Sequence, residues 1–302
     1  MNLICMAGKF HRIASVVLIA AFLVACTPVQ TTTPSLQPTA TVTLPLTATV
    51  TATIIPAVPK PTPLSVEDWK SWPILPVVSE TAKAIYLRGL ALGNDPHHFS
   101  VFGDCQSMAN VFMARYDQES EEVAKLPLGL QQTIANFPGS FRRVGPSTWP
   151  GTTFGALLWD AWIDRTQFNY CPENETALDC ELRVWNPSIV LVNIGTHWDA
   201  RNYEYLQRML QQFIDRGVLP VLAFKADNRE GDERLNREIA QAAIEFDLPV
   251  WNFYRAASAL ENNGLKHAPD DRDIYLTDQG LELHRSSALE ALNAVWRQLT
   301  EQ

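Results

Sequence analysis

Residues 188–194 (SIVLVNI) are apolar almost without a break, so a strand built from them is buried on both of its faces. A strand of that kind belongs inside a parallel sheet covered by helices. The C-terminal two thirds of the chain keeps the matching alternation. Helical periodicity is read over 80–92, 105–115, 127–135, 154–163, 202–216, 232–246 and 278–299, with short apolar runs at 98–102, 219–224 and 250–253. The pattern predicts a three-layer, doubly wound α/β sandwich of the flavodoxin-like kind. With 302 residues, 46% of them hydrophobic, the chain has the material for one large core.

The first quarter of the chain reads differently. Lys9 and Arg12 precede an apolar run over 13–25 that is too short to span a bilayer comfortably, which is the layout of an export signal. The run ends in Leu23-Val24-Ala25-Cys26, which resembles the lipobox of bacterial lipoproteins. That resemblance implies a signal peptide over 1–25 and a mature chain whose first residue, Cys26, carries lipid. Residues 26–65 are mostly Thr, Pro, Val, Ala and Leu, with no charge before Lys60 in that span, and are read as a semi-rigid stalk. The globular domain is then 66–302. It is expected outside the cytoplasm, tethered by its lipid to the outer face of the cytoplasmic membrane or to the cell surface.

Net charge and cysteines narrow the function classes. A formal charge of -9 without any Lys/Arg-rich run excludes a general nucleic-acid binder. Small-molecule esters, acyl groups or glycans remain as partners, with the membrane reached only through the anchor and the domain expected to be a monomer. Of five cysteines, Cys5 leaves with the signal, Cys26 takes lipid, and Cys171 and Cys180 flank a polar loop as an expected disulfide. Cys105 is left without a partner. His97 and His98 match no common zinc spacing, and neither a metal nor a cofactor is expected.

In such a sheet the ligand sits beyond the carboxyl ends of the strands. Three apolar runs are followed there by small and polar residues: Gly103-Asp104-Cys105, Gly195-Thr196-His197-Trp198-Asp199, and Lys225-Ala226-Asp227-Asn228. The last reads as a pocket rim or as a turn in which Asp227 or Asn228 caps the next helix.

These blocks resemble those of the SGNH/GDSL hydrolases. Gly103-Asp104-Cys105 is similar to the family's Gly-Asp-Ser, Gly151-Thr152-Thr153 to its oxyanion-glycine block, and Gly195-Thr196-His197-Trp198 to its Gly-x-Asn-Asp block. Arg272-Asp273-Ile274-Tyr275-Leu276 stands where the family has Asp-x-x-His-Leu. The resemblance implies an esterase or O-acyl hydrolase with Cys105 as nucleophile, Asp104 beside it and Gly151 at the oxyanion. It also implies a degenerate catalytic set. Tyr275, with an ordinary pKa near 10, is no base at neutral pH, and Arg272 replaces the Asp that would orient it.

His197 is then the base, an oxyanion contact or a structural residue, and Cys105 a nucleophile or a buried inert thiol. A helix directly after Cys105 is expected to lower its pKa. His284 is read as a solvated residue of the last helix and Ser107 as a capping or surface residue. A non-catalytic binder of a glycan or acylated ligand is the alternative to the enzyme.

Overall fold

The computed structural model describes residues 64–195, 202–268 and 274–301; the predicted signal peptide, Cys26 and nearly all of the predicted stalk lie outside the described residues. Strands β1 (Asp95–Gly103), β2 (Pro187–Asn193), β3 (Leu219–Ala223) and β4 (Val250–Trp251) form one parallel sheet in the order β1-β2-β3-β4. Every residue of β2 and β3 is buried, as an uninterrupted apolar run requires.

The helices follow in chain order: α1 (Glu80–Leu92), α2 (Arg115–Gln118), α3 (Ser120–Val123), α4 (Leu128–Asn136), α5 (Ala177–Trp185), α6 (Asn202–Asp215), α7 (Arg234–Phe246), α8 (Phe253–Ala257) and α9 (Asp278–Thr300). Their starts are set by polar caps where the sequence supplies them. Ser79, Thr176 and Thr277 each accept a backbone N–H from the first turn of α1, α5 and α9.

A fifth run, residues 145–149, lies along the outer edge of β1. Gly103 N–H donates to Ser147 O at 3.0 Å, Trp149 N–H donates to Gly103 O at 3.3 Å, and Ser147 Oγ donates to Val101 O at 2.7 Å. The pairing of Gly103 with Thr148 is parallel. From β1 the chain therefore steps outward to this edge first, then crosses back to β2 and proceeds to β4.

Right-handed crossovers in opposite directions put their helices on opposite faces. On one face Ser100 meets Glu181 of α5 and Phe102 meets Phe213 of α6, with α7 joined to α6 through Tyr203 and Glu245. On the other face Phe99 packs on Phe137, just beyond α4, and Phe137 packs on Trp296 of α9. The sheet is doubly wound, and its direction of winding reverses at β1.

The front of the domain is packed from its first described residues. Trp69, in the 3-10 turn Val66–Ser71, and Trp72, which ends that turn, are buried, and both of their carbonyls accept from Asn252 Nδ2, at 3.0 and 3.1 Å. Trp69 meets Phe224 and Tyr254 edge-on. Among the described residues no helix is long and apolar enough to cross a membrane.

Two predicted helices are absent. Instead of a helix over 105–115, a single 3-10 turn, Cys105–Ser107, is ended by the extended backbone of Met108. Ser107 is pulled into the sheet by β2, and that pairing outcompetes local helix propensity. In place of a helix over 154–163 there are two 3-10 turns, Ala156–Leu158 and Asp160–Trp162, separated by extended Trp159. This break buries Phe154 and Leu157 while leaving Trp159 exposed.

A disulfide joins Cys171 to Cys180 and ties the preceding loop to α5. Closing so short a loop restricts the unfolded chain by an amount that corresponds to roughly 2.5–3 kcal/mol. The double variant Cys171→Ser/Cys180→Ser is expected to lose about that much in urea unfolding, with the m-value rising as the denatured chain expands.

Candidate active site at the switch point of the sheet

The reversal of winding at β1 leaves a crevice beyond its carboxyl end. Asp104, the next residue, is buried, and each of its carboxylate oxygens has a backbone partner. Oδ1 accepts from Gln106 N–H at 3.1 Å, which caps the 3-10 turn, and Oδ2 accepts from Gly195 N–H at 2.9 Å. One side chain thus ties the end of β1 to the end of β2.

Cys105 is half-buried at the start of that turn and is not part of a disulfide. Burial pushes its thiol above the ordinary value and the Asp104 carboxylate pushes it further. Hydrogen bonds from the backbone N–H groups of Cys105 and Gln106 act in the opposite direction but are the smaller effects. The expected lowering by a following helix is therefore overturned, because only a three-residue turn follows and a carboxylate stands beside the sulfur.

Beneath the turn runs a buried polar chain. Ser107 Oγ donates to Asn193 O at 2.9 Å, and Asn193 Nδ2 donates to Ser107 Oγ at 3.1 Å and to His284 Nε2 at 2.8 Å. Gly103 has to be glycine here, since a Cβ would lie 2.2 Å from Ser107 Oγ. Ser107 is thus neither a surface residue nor a helix cap.

His284 is not solvated either: it is 2% exposed, enclosed by Phe112, Trp251 and Phe253. Burial, aided by the charge of Arg285, lowers its pKa to about 3. With Nε2 accepting from Asn193, the proton sits on Nδ1, which is buried and has no hydrogen-bond partner among the described residues. A ring so engaged does not serve Cys105 as a base.

The last block approaches from α9. Gln106 Nε2 donates to Ile274 O, joining the Cys105 turn to the residue before Tyr275. Tyr275 itself is 57% exposed, and its carbonyl accepts from Lys266 N–H at 2.9 Å. Gly151 lies where the edge run passes the carboxyl end of β1, in the left-handed region at φ 81°. Asp104, Cys105, the 274–275 segment and the 148–151 turn are thereby gathered at one end of the sheet. His197 lies outside the described residues, as do Thr196, Trp198, Asp199, Arg272 and Asp273.

The third block is more than a turn. Lys225, 6% exposed, donates to Gly195 O at 3.2 Å and pairs with Asp227 at 3.0 Å and Glu230 at 2.7 Å. Burial raises the pKa of Asp227, against the opposing effect of Lys225. Asn228 Oδ1 accepts from Glu233 N–H at 2.8 Å just ahead of α7, but the first-turn N–H of Leu235 goes to Glu230 Oε1 at 3.2 Å, so the capping expected of Asp227 or Asn228 is done by Glu230. Gly195 is gripped twice, its N–H by Asp104 and its carbonyl by Lys225.

Sequence reasoning missed Gln106, Asn193 and Glu230. Asn193 carries a legible signal, a polar residue closing an otherwise apolar strand. Elsewhere, Cys171, Glu175 and Cys180 bring three potential metal-ligating atoms together, but the two sulfurs are bonded to each other and Glu175 is paired with Arg183.

No protein-family description matches the chain, and no curated protein matches it. Two solved structures are similar in fold. A GDSL-like lipase from Bacteroides thetaiotaomicron shares 14% identity over 72% of this chain and 100% of its own, with a TM-score of 0.41. A lipase/acylhydrolase from Enterococcus faecalis shares 14% over 66% of this chain and 96% of its own, with a TM-score of 0.37. At such low identity and TM-score neither bears on what this chain does.

Proposed function

We propose that this chain is an SGNH/GDSL-type hydrolase of esters or O-acyl groups, lipid-anchored at the cell surface through Cys26. The observation that carries the reading is the position of Cys105, on the first turn after β1 where the winding of the sheet reverses. Its thiolate attacks the acyl carbonyl, the alcohol leaves with a proton, and water hydrolyses the resulting thioester to free acid and thiol. Gly151 and the backbone N–H groups of the Cys105 turn face the developing oxyanion, and His197 is the base.

One observation favours a second reading, a binder with impaired catalysis. Both the burial of Cys105 and its neighbour Asp104 hold the thiol protonated at neutral pH. The two readings part on the pH dependence. With p-nitrophenyl acetate as substrate, a thiolate enzyme speeds up as the thiol ionises, by about tenfold per pH unit from pH 7 towards 9. Cys105→Ala falls to the uncatalysed rate across the range. Equal rates for the two proteins at pH 9 refute Cys105 as nucleophile, and binding of acetylated sugars without turnover leaves the binder.

A further inference from the structure

Near the 148–151 turn, Thr153, Leu158, Trp159 and Trp162 face Tyr205 and Arg208 of α6 across a groove of about 470 Å³. A volume at the lower end of the ~300–1,000 Å³ typical of small-ligand sites suits a short oligomer of small units and not a folded partner. Trp159 is 59% exposed, so much of its indole is open to solvent.

Arg208 is the only charged residue in the lining, and its guanidinium stands 5.8 Å from the Tyr205 ring centre. Among the described residues no carboxylate pairs with it. In a chain of net charge -9, this cation beside the Tyr205 ring, without a carboxylate partner among the described residues, runs against the prevailing sign.

Aromatic faces in a groove accept the C–H faces of a pyranose, and an Arg fork accepts a carboxylate through two parallel hydrogen bonds. We propose that the groove binds an acidic sugar unit, a pyranose carrying a carboxylate, with the ring against Trp159 and the carboxylate on Arg208. The proposal rests on the glycan-facing side of the function given above and names the sugar class that the domain selects.

The test uses full-length protein in detergent micelles, titrated calorimetrically with a cellouronate tetramer and with cellotetraose. The two sugars differ only in the carboxylate at C6 of each unit. The acidic tetramer is expected to bind about tenfold or more tighter, with the gap shrinking in 1 M salt as the ion pair is screened. Arg208→Gln closes the gap while leaving cellotetraose binding unchanged, and Trp159→Ala weakens both sugars by about tenfold. Both positions are exposed, and circular dichroism checks that the variants are folded.

Acidic and neutral sugars binding alike overturns the proposal, as does a gap that survives Arg208→Gln, or the absence of binding by either sugar at millimolar concentration. Acidic-sugar binding without ester hydrolysis removes the hydrolase and leaves the groove. Hydrolysis without acidic-sugar preference removes the groove alone.

Discussion

Acidification from pH 7 to 4 is expected to cost the wild-type domain about 3 kcal/mol more stability than it costs His284→Gln. The folded-state pKa of His284 is depressed to about 3, against an ordinary value of 6.5. The unfolded chain therefore takes up a proton as the pH falls below 6.5, while the folded chain does not. Stability is complete above pH 6.5 and declines through the window down to 3, at up to about 1.4 kcal/mol per pH unit.

Cause and structure agree here. The ring lies among three aromatic side chains, its Nε2 is an acceptor, and protonation would put a charge where none of the described carboxylates is paired with it. Gln at 284 keeps an acceptor for Asn193 and cannot titrate. Urea unfolding of both proteins at half-unit pH steps gives the comparison, and what matters is the slope, whatever stability the variant starts from. Parallel slopes for the two proteins would contradict the assignment.

Glu181→Ala is expected to destabilise the domain by about 3–5 kcal/mol, the usual cost of orphaning one partner of a buried ion pair. Glu181 is 1% exposed, receives Arg143 through two bonds of 2.7 and 2.9 Å, and accepts from Ser100 Oγ at 2.6 Å. Alanine leaves the guanidinium and the hydroxyl without their acceptor. Glu181→Leu combined with Arg143→Met is expected to recover most of the loss, since both charges are then gone.

The damage should also reach the site. Arg143 lies two residues ahead of the edge run, and a Cβ on Gly145 would sit 2.1 Å from Glu181 Oε2, so the carboxylate fixes how that run approaches β1. The urea midpoint reports the first effect and the rate on p-nitrophenyl acetate the second.

Strand β2 was legible because its burial on both faces writes itself as an unbroken apolar run. The edge run 145–149 (GPSTW) was invisible for the opposite reason: it joins the sheet through a few backbone bonds and carries no apolar repeat. The helix expected after Cys105 failed because its local pattern competes with Ser107 pairing to Asn193, 86 residues further on. His284 was misread because the residues that enclose it come from two distant segments, around Phe112 and around Trp251 and Phe253, and periodicity along α9 knows nothing of them. The order of the small and polar blocks is the order in which the fold brings Asp104, Cys105, the 148–151 turn and the 274–275 segment to one end of the sheet; the raised pKa of the thiol comes from burial and then from Asp104, whose orientation no spacing reveals.

The double grip on Gly195 has a counterpart at the start of α6, where buried Asn202 donates to Glu238 Oε2 at 2.8 Å. Gly195 and Asn202 are each held by side chains from other elements, Asp104 and Lys225 for the one and Glu238 for the other, so the end of β2 and the start of α6 keep their places independently of each other.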